Sequence, residues 1–217
     1  MSCRLPSPLY AILDTSFSKG RSPTTILREF LAGGVRLVQL RAKELSSGEF
    51  FTLAKEARQL TRAAGATFIV NDRVDIALAC NADGVHLGQD DLPLRATRKV
   101  LGPEKIIGIS THDLDQARSA ELNGADYIGF GPIFGSTTKE TGYLPRGLEM
   151  LREIRQAVKI PIVAIGGINE KNVAEVWKSG ANAAAIISDL MGAEHVAEKV
   201  RRILRIPSNT GHTHSGI

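Results

Sequence analysis

Apolar runs of strand length recur along the chain, and between successive runs there is room for a helix. The runs are Leu9–Leu13, Leu37–Arg41, Thr67–Val70, Gly84–Leu87, Lys105–Ile109, Tyr127–Gly131, Ile162–Ile165 and Ala184–Ser188. Most are continuously apolar rather than alternating, the pattern of strands covered on both faces in a parallel sheet. The segments between them carry helical periodicity. Phe50, Leu53, Ala54, Ala57, Leu60 and Ala64 form a stripe, with Lys55, Glu56, Arg58 and Arg62 outside it. Residues 113–122 open with Asp113 and Asp115, favourable at the positive end of a helix, and close on the C-cap signal Asn123-Gly124. A helix over 171–179 holds Trp177, expected to serve packing, and the last helix gathers Val196, Val200, Ile203 and Leu204 on one side.

Eight strand–helix units are more than a doubly wound sheet of 217 residues usually holds. They predict an α/β chain folded as one (β/α)8 barrel over residues 1–206, near the lower end of the size range for that architecture. The short, glycine-punctuated connections agree, and no linker or low-complexity stretch divides the chain. Residues 207–217 lack an apolar pattern and are expected to be a disordered tail, with His212 and His214 as tail composition.

Composition narrows the function. Hydrophobic residues at 43% and charged residues at 23% suit an ordinary globular domain. The net charge of +4 is small and dispersed, and aromatics are only 5%, which argues against nucleic acid but leaves an anionic small molecule open. Cys3 and Cys80 have neither disulfide nor zinc spacing, so a reducing, cytoplasmic setting is expected, with Cys80 a small apolar helix residue. No run approaches about 18 apolar residues, and the N-terminus lacks the apolar stretch of a signal peptide. Neither a membrane nor export is therefore expected, and oligomeric state is not legible.

In a (β/α)8 barrel the active site is built at the C-terminal ends of the strands. Polar residues concentrate there in two clusters. In the first, Asp72 and Asp91 follow neighbouring strands, with Arg41, Lys43 and Lys139 around them. Two carboxylates completed by substrate phosphates and water are a usual way of holding Mg²⁺, so the group describes a site for a metal-bound pyrophosphate. The competing structural roles are a helix N-cap for Asp72 and a turn before Pro93 for Asp91. The second cluster is Gly166-Gly167 with Ile187-Ser188, where barrels frequently bind phosphate; the competing role is a tight turn. His86 and His112 stand at strand ends, where acid–base work or structural hydrogen bonding is open to each. Tyr143 and Arg146 lie in a long loop after the sixth strand, a candidate lid. Nucleophile-elbow, P-loop and zinc-protease motifs are absent.

Gln39-Leu40-Arg41-x-Lys43, Asn71-Asp72, Gly84-Val85-His86-Leu87-Gly88-Gln89-x-Asp91, Gly108-x-Ser110, Gly129-x-Gly131-Pro132-Ile133-Phe134 with Thr138-Lys139, Ile165-Gly166-Gly167-Ile168 and Ile187-Ser188 follow one another in order. This series resembles the thiamine-phosphate synthase family from Leu9 to about Leu204. The resemblance implies a (β/α)8 barrel that joins 4-amino-2-methylpyrimidine pyrophosphate to hydroxyethylthiazole phosphate, giving thiamine phosphate and pyrophosphate. It implies Asp72 and Asp91 as Mg²⁺ ligands. Gln39, Leu40, Arg41, Ala42, Lys43, Asn71, Ser110 and Lys139 would bind the pyrimidine pyrophosphate, with Arg41, Lys43, Ser110 and Lys139 closest to the chemistry. Ser136, Thr137, Thr138, Gly167, Ile187 and Ser188 would bind the thiazole phosphate. Two positions depart from the family pattern. Gly135-Ser136 replaces the usual Pro-Thr, keeping a hydroxyl but loosening the loop, and Gln89-Asp90-Asp91 replaces Gln-Glu-Asp, keeping the ligand. The alternatives are a related thiazole tautomerase, for which His112 is the acid–base candidate, and a non-catalytic barrel that binds phosphorylated ligands.

Overall fold

Eight parallel strands close into a barrel in sequence order, each bonded to the next and the eighth to the first. The computed structural model describes residues 5–135 and 144–208. Its strands are β1 (Leu9–Asp14), β2 (Leu37–Arg41), β3 (Thr67–Asn71), β4 (Gly84–Leu87), β5 (Ile106–Thr111), β6 (Tyr127–Phe130), β7 (Ile162–Ile165) and β8 (Ala183–Ile186). The helices are α1 (Pro23–Gly33), α2 (Ser47–Ala63), α3 (Val74–Ala79), α4 (Leu94–Leu101), α5 (Leu114–Leu122), α6 (Gly147–Ala157), α7 (Val173–Lys178), α8 (Ser188–Met191) and α9 (Val196–Arg205). The expected (β/α)8 barrel is thus the architecture found. Three strands outrun their apolar pattern because the parallel ladder continues through polar residues: Asp14 of β1 pairs with Arg41, Asn71 of β3 with His86, and Ser110 and Thr111 of β5 with Gly129 and Phe130. β8 ends earlier than expected, since Ser188 already begins α8. Residues 1–4, 136–143 and 209–217 lie outside the described residues, and with them most of the expected tail.

Local chemistry sets the helix starts. Ser46 Oγ accepts from the Glu49 amide at 3.4 Å and the Glu49 carboxylate accepts from the Ser46 amide at 3.0 Å, a capping box that opens α2. Asp113 caps α5, its carboxylate taking the Gln116 amide at 2.8 Å. Of the stripe on α2, Phe50, Ala54 and Ala57 are buried, as is Thr61, whose hydroxyl donates to the Ala57 carbonyl. Trp177 is buried with its indole N–H on the Pro8 carbonyl, so packing is its role, and Cys80 is buried at the end of α3. Among the described residues no helix is long and apolar enough to cross a membrane.

One device recurs at the N-terminal end of the barrel. Asp83, Asp126 and Asn182 each precede an even-numbered strand. Each accepts the amide of a residue starting the preceding odd strand (Phe68, Ile107 and Ile162) and an arginine from the helix before that (Arg58, Arg98 and Arg155). The arginine lies 25, 28 or 27 residues upstream, so the repeat belongs to the two-unit βαβα module rather than to any short motif. Asp126→Ala strands the Ile107 amide and leaves Arg98 with only the Gly102 and Lys105 carbonyls as acceptors. A loss of about 1–3 kcal/mol in unfolding free energy is expected, measured by denaturant titration, with activity per folded molecule unchanged because the active end is opposite.

Candidate active site

A cavity of about 620 Å³ opens inside the barrel toward the C-terminal strand ends, with a wall residue from every strand. Strand alternation decides which residues reach it. Gln39 lines the cavity, whereas Leu40, fully buried, lies on the other face of β2. Ala42 is buried and does not line the cavity either, so of the run Gln39–Lys43 it is Gln39 that forms part of the wall. Asn71, His86 and Ser110 join Gln39 as inward polar positions in otherwise apolar strands.

Gln39, His86 and Ser110 are linked through two tyrosines that the sequence did not single out. Gln39 Nε2 donates to Tyr10 Oη at 3.0 Å, and Tyr10 Oη is 3.0 Å from Tyr127 Oη. Tyr127 Oη is 3.0 Å from His86 Nδ1, and His86 Nε2 is 2.9 Å from Ser110 Oγ. Burial pushes the Tyr10 phenol well above its usual range, against hydrogen bonds from Tyr127 and Gln39 that pull it down, so it keeps its proton. A tyrosine inside an apolar strand needs a hydroxyl partner, and that was the available signal. His112, also on the wall, spends Nδ1–H on the Gly131 carbonyl at 2.6 Å.

Just beyond the wall, at the ends of β2 to β4, the two carboxylates converge. Asp72 holds the left-handed conformation at φ 62°, unusual without glycine, and its amide donates to the His86 carbonyl at 2.8 Å. It is not a helix cap: Arg73 occupies that position. Asp91 does serve its turn, accepting the Gly88 amide at 2.7 Å. Its carboxyl is pushed upward by burial first and then by Asp72 beside it, with the Gly88 amide and Lys43 pulling the other way. Lys43 Nζ is 3.3 Å from Asp72.

Arg41 is differently placed from the free rim cation that the sequence suggests. Its Nη1 is 2.5 Å from Asp14 Oδ2, and Asp14 is fully buried. The Arg41 Nε is buried with no partner among the described residues. Lys139 falls in 136–143 with Ser136, Thr137, Thr138 and Tyr143, outside the described residues. Among the described residues no group of three or more His, Cys, Asp and Glu is disposed to hold a metal. A cation at Asp72 and Asp91 would therefore complete its shell from other oxygens.

Across the cavity, Gly167, Ile187 and Ser188 line the wall together, as the second cluster required. Gly167 sits at φ 64°, and a Cβ there would lie 2.5 Å from the Gly135 carbonyl oxygen, so a close crossing of two loops demands glycine. The sequence missed the charged groups beside them. Lys199, reaching over from α9, bridges Asp189 at 2.9 Å and Glu170 at 3.1 Å, and Arg202 holds Glu170 at 2.8 Å.

Known proteins decide what this barrel is. Residues 9–190 match the family model for thiamine monophosphate synthase. The chain is 52% identical over 198 residues to the thiamine-phosphate synthase of Moorella thermoacetica, covering 91% of this chain and 94% of that one. It is 46% identical to the thiamine-phosphate synthase of Chloroflexus aurantiacus, covering 93% of each. The chain belongs to the thiamine-phosphate synthase family. It is a transferase. The solved thiamine phosphate pyrophosphorylase of Pyrococcus furiosus superimposes with a TM-score of 0.84 at 42% identity, over 91% of this chain and 94% of that one. The thiamine-phosphate synthase match spans every wall residue except Lys199, which lies on the last helix.

Proposed function

We propose that this enzyme joins 4-amino-2-methylpyrimidine pyrophosphate to hydroxyethylthiazole phosphate, forming thiamine phosphate and releasing pyrophosphate. The observation that carries this reading is one cavity with a different anion-handling group at each side. Asp72, Asp91 and Lys43 stand just beyond its wall at the ends of β2 to β4, and Gly167 with Ser188 line it at the β7–β8 side. Two phosphorylated substrates meeting in one cavity need such a pair. As phosphorylated intermediates, they also suit a cytoplasmic setting.

The thiazole nitrogen already carries a lone pair, so the new bond needs no general base. The demanding event is departure of pyrophosphate from the pyrimidine methylene, which leaves a resonance-stabilised cation. Lys43 and Arg41, with Lys139 by resemblance, would stabilise charge on the leaving oxygens; fixed charges of this kind are usually the largest catalytic contribution. Asp72 and Asp91 fit a Mg²⁺ ion, because two neighbouring carboxylates, with Asp91 pushed up by burial and then by Asp72, favour a shared cation over mutual repulsion. Bound there, Mg²⁺ supplies positive charge to the pyrophosphate. Gln39 and Asn71 offer amides to the pyrimidine, and Gly167, Ile187 and Ser188 offer backbone groups to the thiazole phosphate. Pyrophosphate release measured with both substrates tests the reading. Synthase activity requires both, whereas rearrangement of the thiazole alone, or binding alone, releases none.

The Lys199 bridge yields a further expectation. Hydrogen bonds from Arg202 hold Glu170 below the usual carboxylate range, while Asp189 and Glu170 outweigh burial and hold Lys199 above its usual value. Glu170 therefore loses its contribution as pH falls through its lowered value, and Lys199 as pH rises through its raised one. Lys199→Ala leaves two carboxylates facing the thiazole phosphate. The KM for that substrate is expected to rise about three- to tenfold at neutral pH, with the KM for the pyrimidine substrate unchanged.

A further inference from the structure

We infer that Glu170 and Asp189, held by Lys199 and Arg202, are specificity-determining residues that fit the β7–β8 end of the cavity to a singly phosphorylated ligand and turn pyrophosphate away from it. The inference rests on the proposed reading of that end as the thiazole phosphate site. Glu170 follows Gly167 in the loop between β7 and α7, and Asp189 directly follows Ser188. All four line the cavity, together with Lys171 and Lys199. An anion that reaches the backbone at Gly167 and Ser188 therefore meets two carboxylates as well.

The cluster is a closed ring with little charge to spare. Lys199 Nζ lies 2.9 Å from Asp189 Oδ1 and 3.1 Å from Glu170 Oε2. Arg202 Nε donates to Glu170 Oε1 at 2.8 Å, and the Glu170 amide donates to Asp189 Oδ2 at 3.0 Å. Lys199 and Arg202 are thus spent on the two carboxylates, and Lys171 on the wall adds one further cation. Backbone N–H groups and that small surplus suit a phosphate monoester. The additional charge of a pyrophosphate would face Glu170 and Asp189, whose side chains are only 28% and 25% exposed, so solvent screens the repulsion incompletely. The opposite end has Lys43 and a carboxylate pair suited to a divalent cation, which is the charge a diphosphate needs. One cavity can then sort two phosphorylated substrates by charge, and keep the pyrimidine pyrophosphate from occupying both ends.

The test follows the Gly167 amide signal of the full-length, ¹⁵N-labelled, metal-free protein while inorganic phosphate or pyrophosphate is added. The wild type should bind phosphate more tightly than pyrophosphate at this end. Asp189→Asn and Glu170→Gln should each tighten pyrophosphate about threefold to tenfold, and phosphate by less, because each removes one negative charge close to the ligand. A ring that served only to hold the loops together would give the opposite sign, with both anions weakened in both variants. That outcome, tighter binding of pyrophosphate by the wild type, or a Gly167 signal that responds to neither anion would overturn the inference. The wild-type order decides the matter even where a variant does not fold. The titration needs no substrate, so the two readings fail separately. Absent synthase activity with phosphate still preferred refutes the substrate assignment, and normal turnover with pyrophosphate preferred refutes the charge sorting.

Discussion

Asp91→Ala is expected to lower pyrophosphate release about a thousandfold, the scale of several kcal/mol of lost charge stabilisation in the transition state. The same substitution also removes the acceptor of the Gly88 amide, so on its own it confuses a ligand with a turn residue. Asp91→Asn separates the two. Its amide oxygen can still take the Gly88 N–H, while the negative charge that would hold a cation against Asp72 is gone. Turnover should therefore fall nearly as far as in Asp91→Ala, with the thermal midpoint close to wild type for Asp91→Asn and lower for Asp91→Ala. Wild-type turnover should rise with Mg²⁺ and vanish in a chelator. Turnover indifferent to Mg²⁺, or an Asp91→Asn enzyme that works normally, would remove the metal from this site.

The barrel was legible because its strands are apolar on both faces, a pattern that depends on the sequence alone. Of the inward polar positions, Gln39 and His86 interrupt apolar runs, whereas Asn71 and Ser110 stand directly after the ends of theirs. What could not be read was pairing across strands. Tyr10 and Tyr127 are 117 residues apart and meet across the barrel interior, and Tyr127 reaches His86 because β5 offers glycine between β4 and β6. Lys199 belongs to a helix whose apolar side announced packing, and only the turn of α9 over the β7–β8 end brings its ammonium to Glu170 and Asp189. The N-terminal Asp and Asn acceptors escaped notice because their partners lie two elements back. The charge of Arg41 is visible in the sequence but its partner is not, because Asp14 stands just after the apolar run Leu9–Leu13. The parallel register sets Asp14 directly opposite Arg41.

That pairing makes Asp14→Asn the most informative test of stability and function together. Asp14 is fully buried and Arg41 nearly so, and Asp14 also accepts from the Ser16 amide at 3.1 Å and its hydroxyl at 2.6 Å. Removing one partner of a buried ion pair leaves the other charge uncompensated, which costs about 3–5 kcal/mol. Asn retains an acceptor for Ser16, so the loss it causes reports chiefly on the stranded guanidinium. A second substitution, Arg41→Met in the same background, takes that charge away and should recover most of the lost stability, as measured by denaturant midpoint. It should not recover pyrophosphate release. If Arg41 is a cation for the leaving group, the more stable double variant will have a higher KM for the pyrimidine pyrophosphate and a lower kcat than the wild type. Should the double variant regain both stability and full turnover, Arg41 would be a structural partner of Asp14 alone, and the charge opposite the leaving pyrophosphate would fall to Lys43 and Lys139.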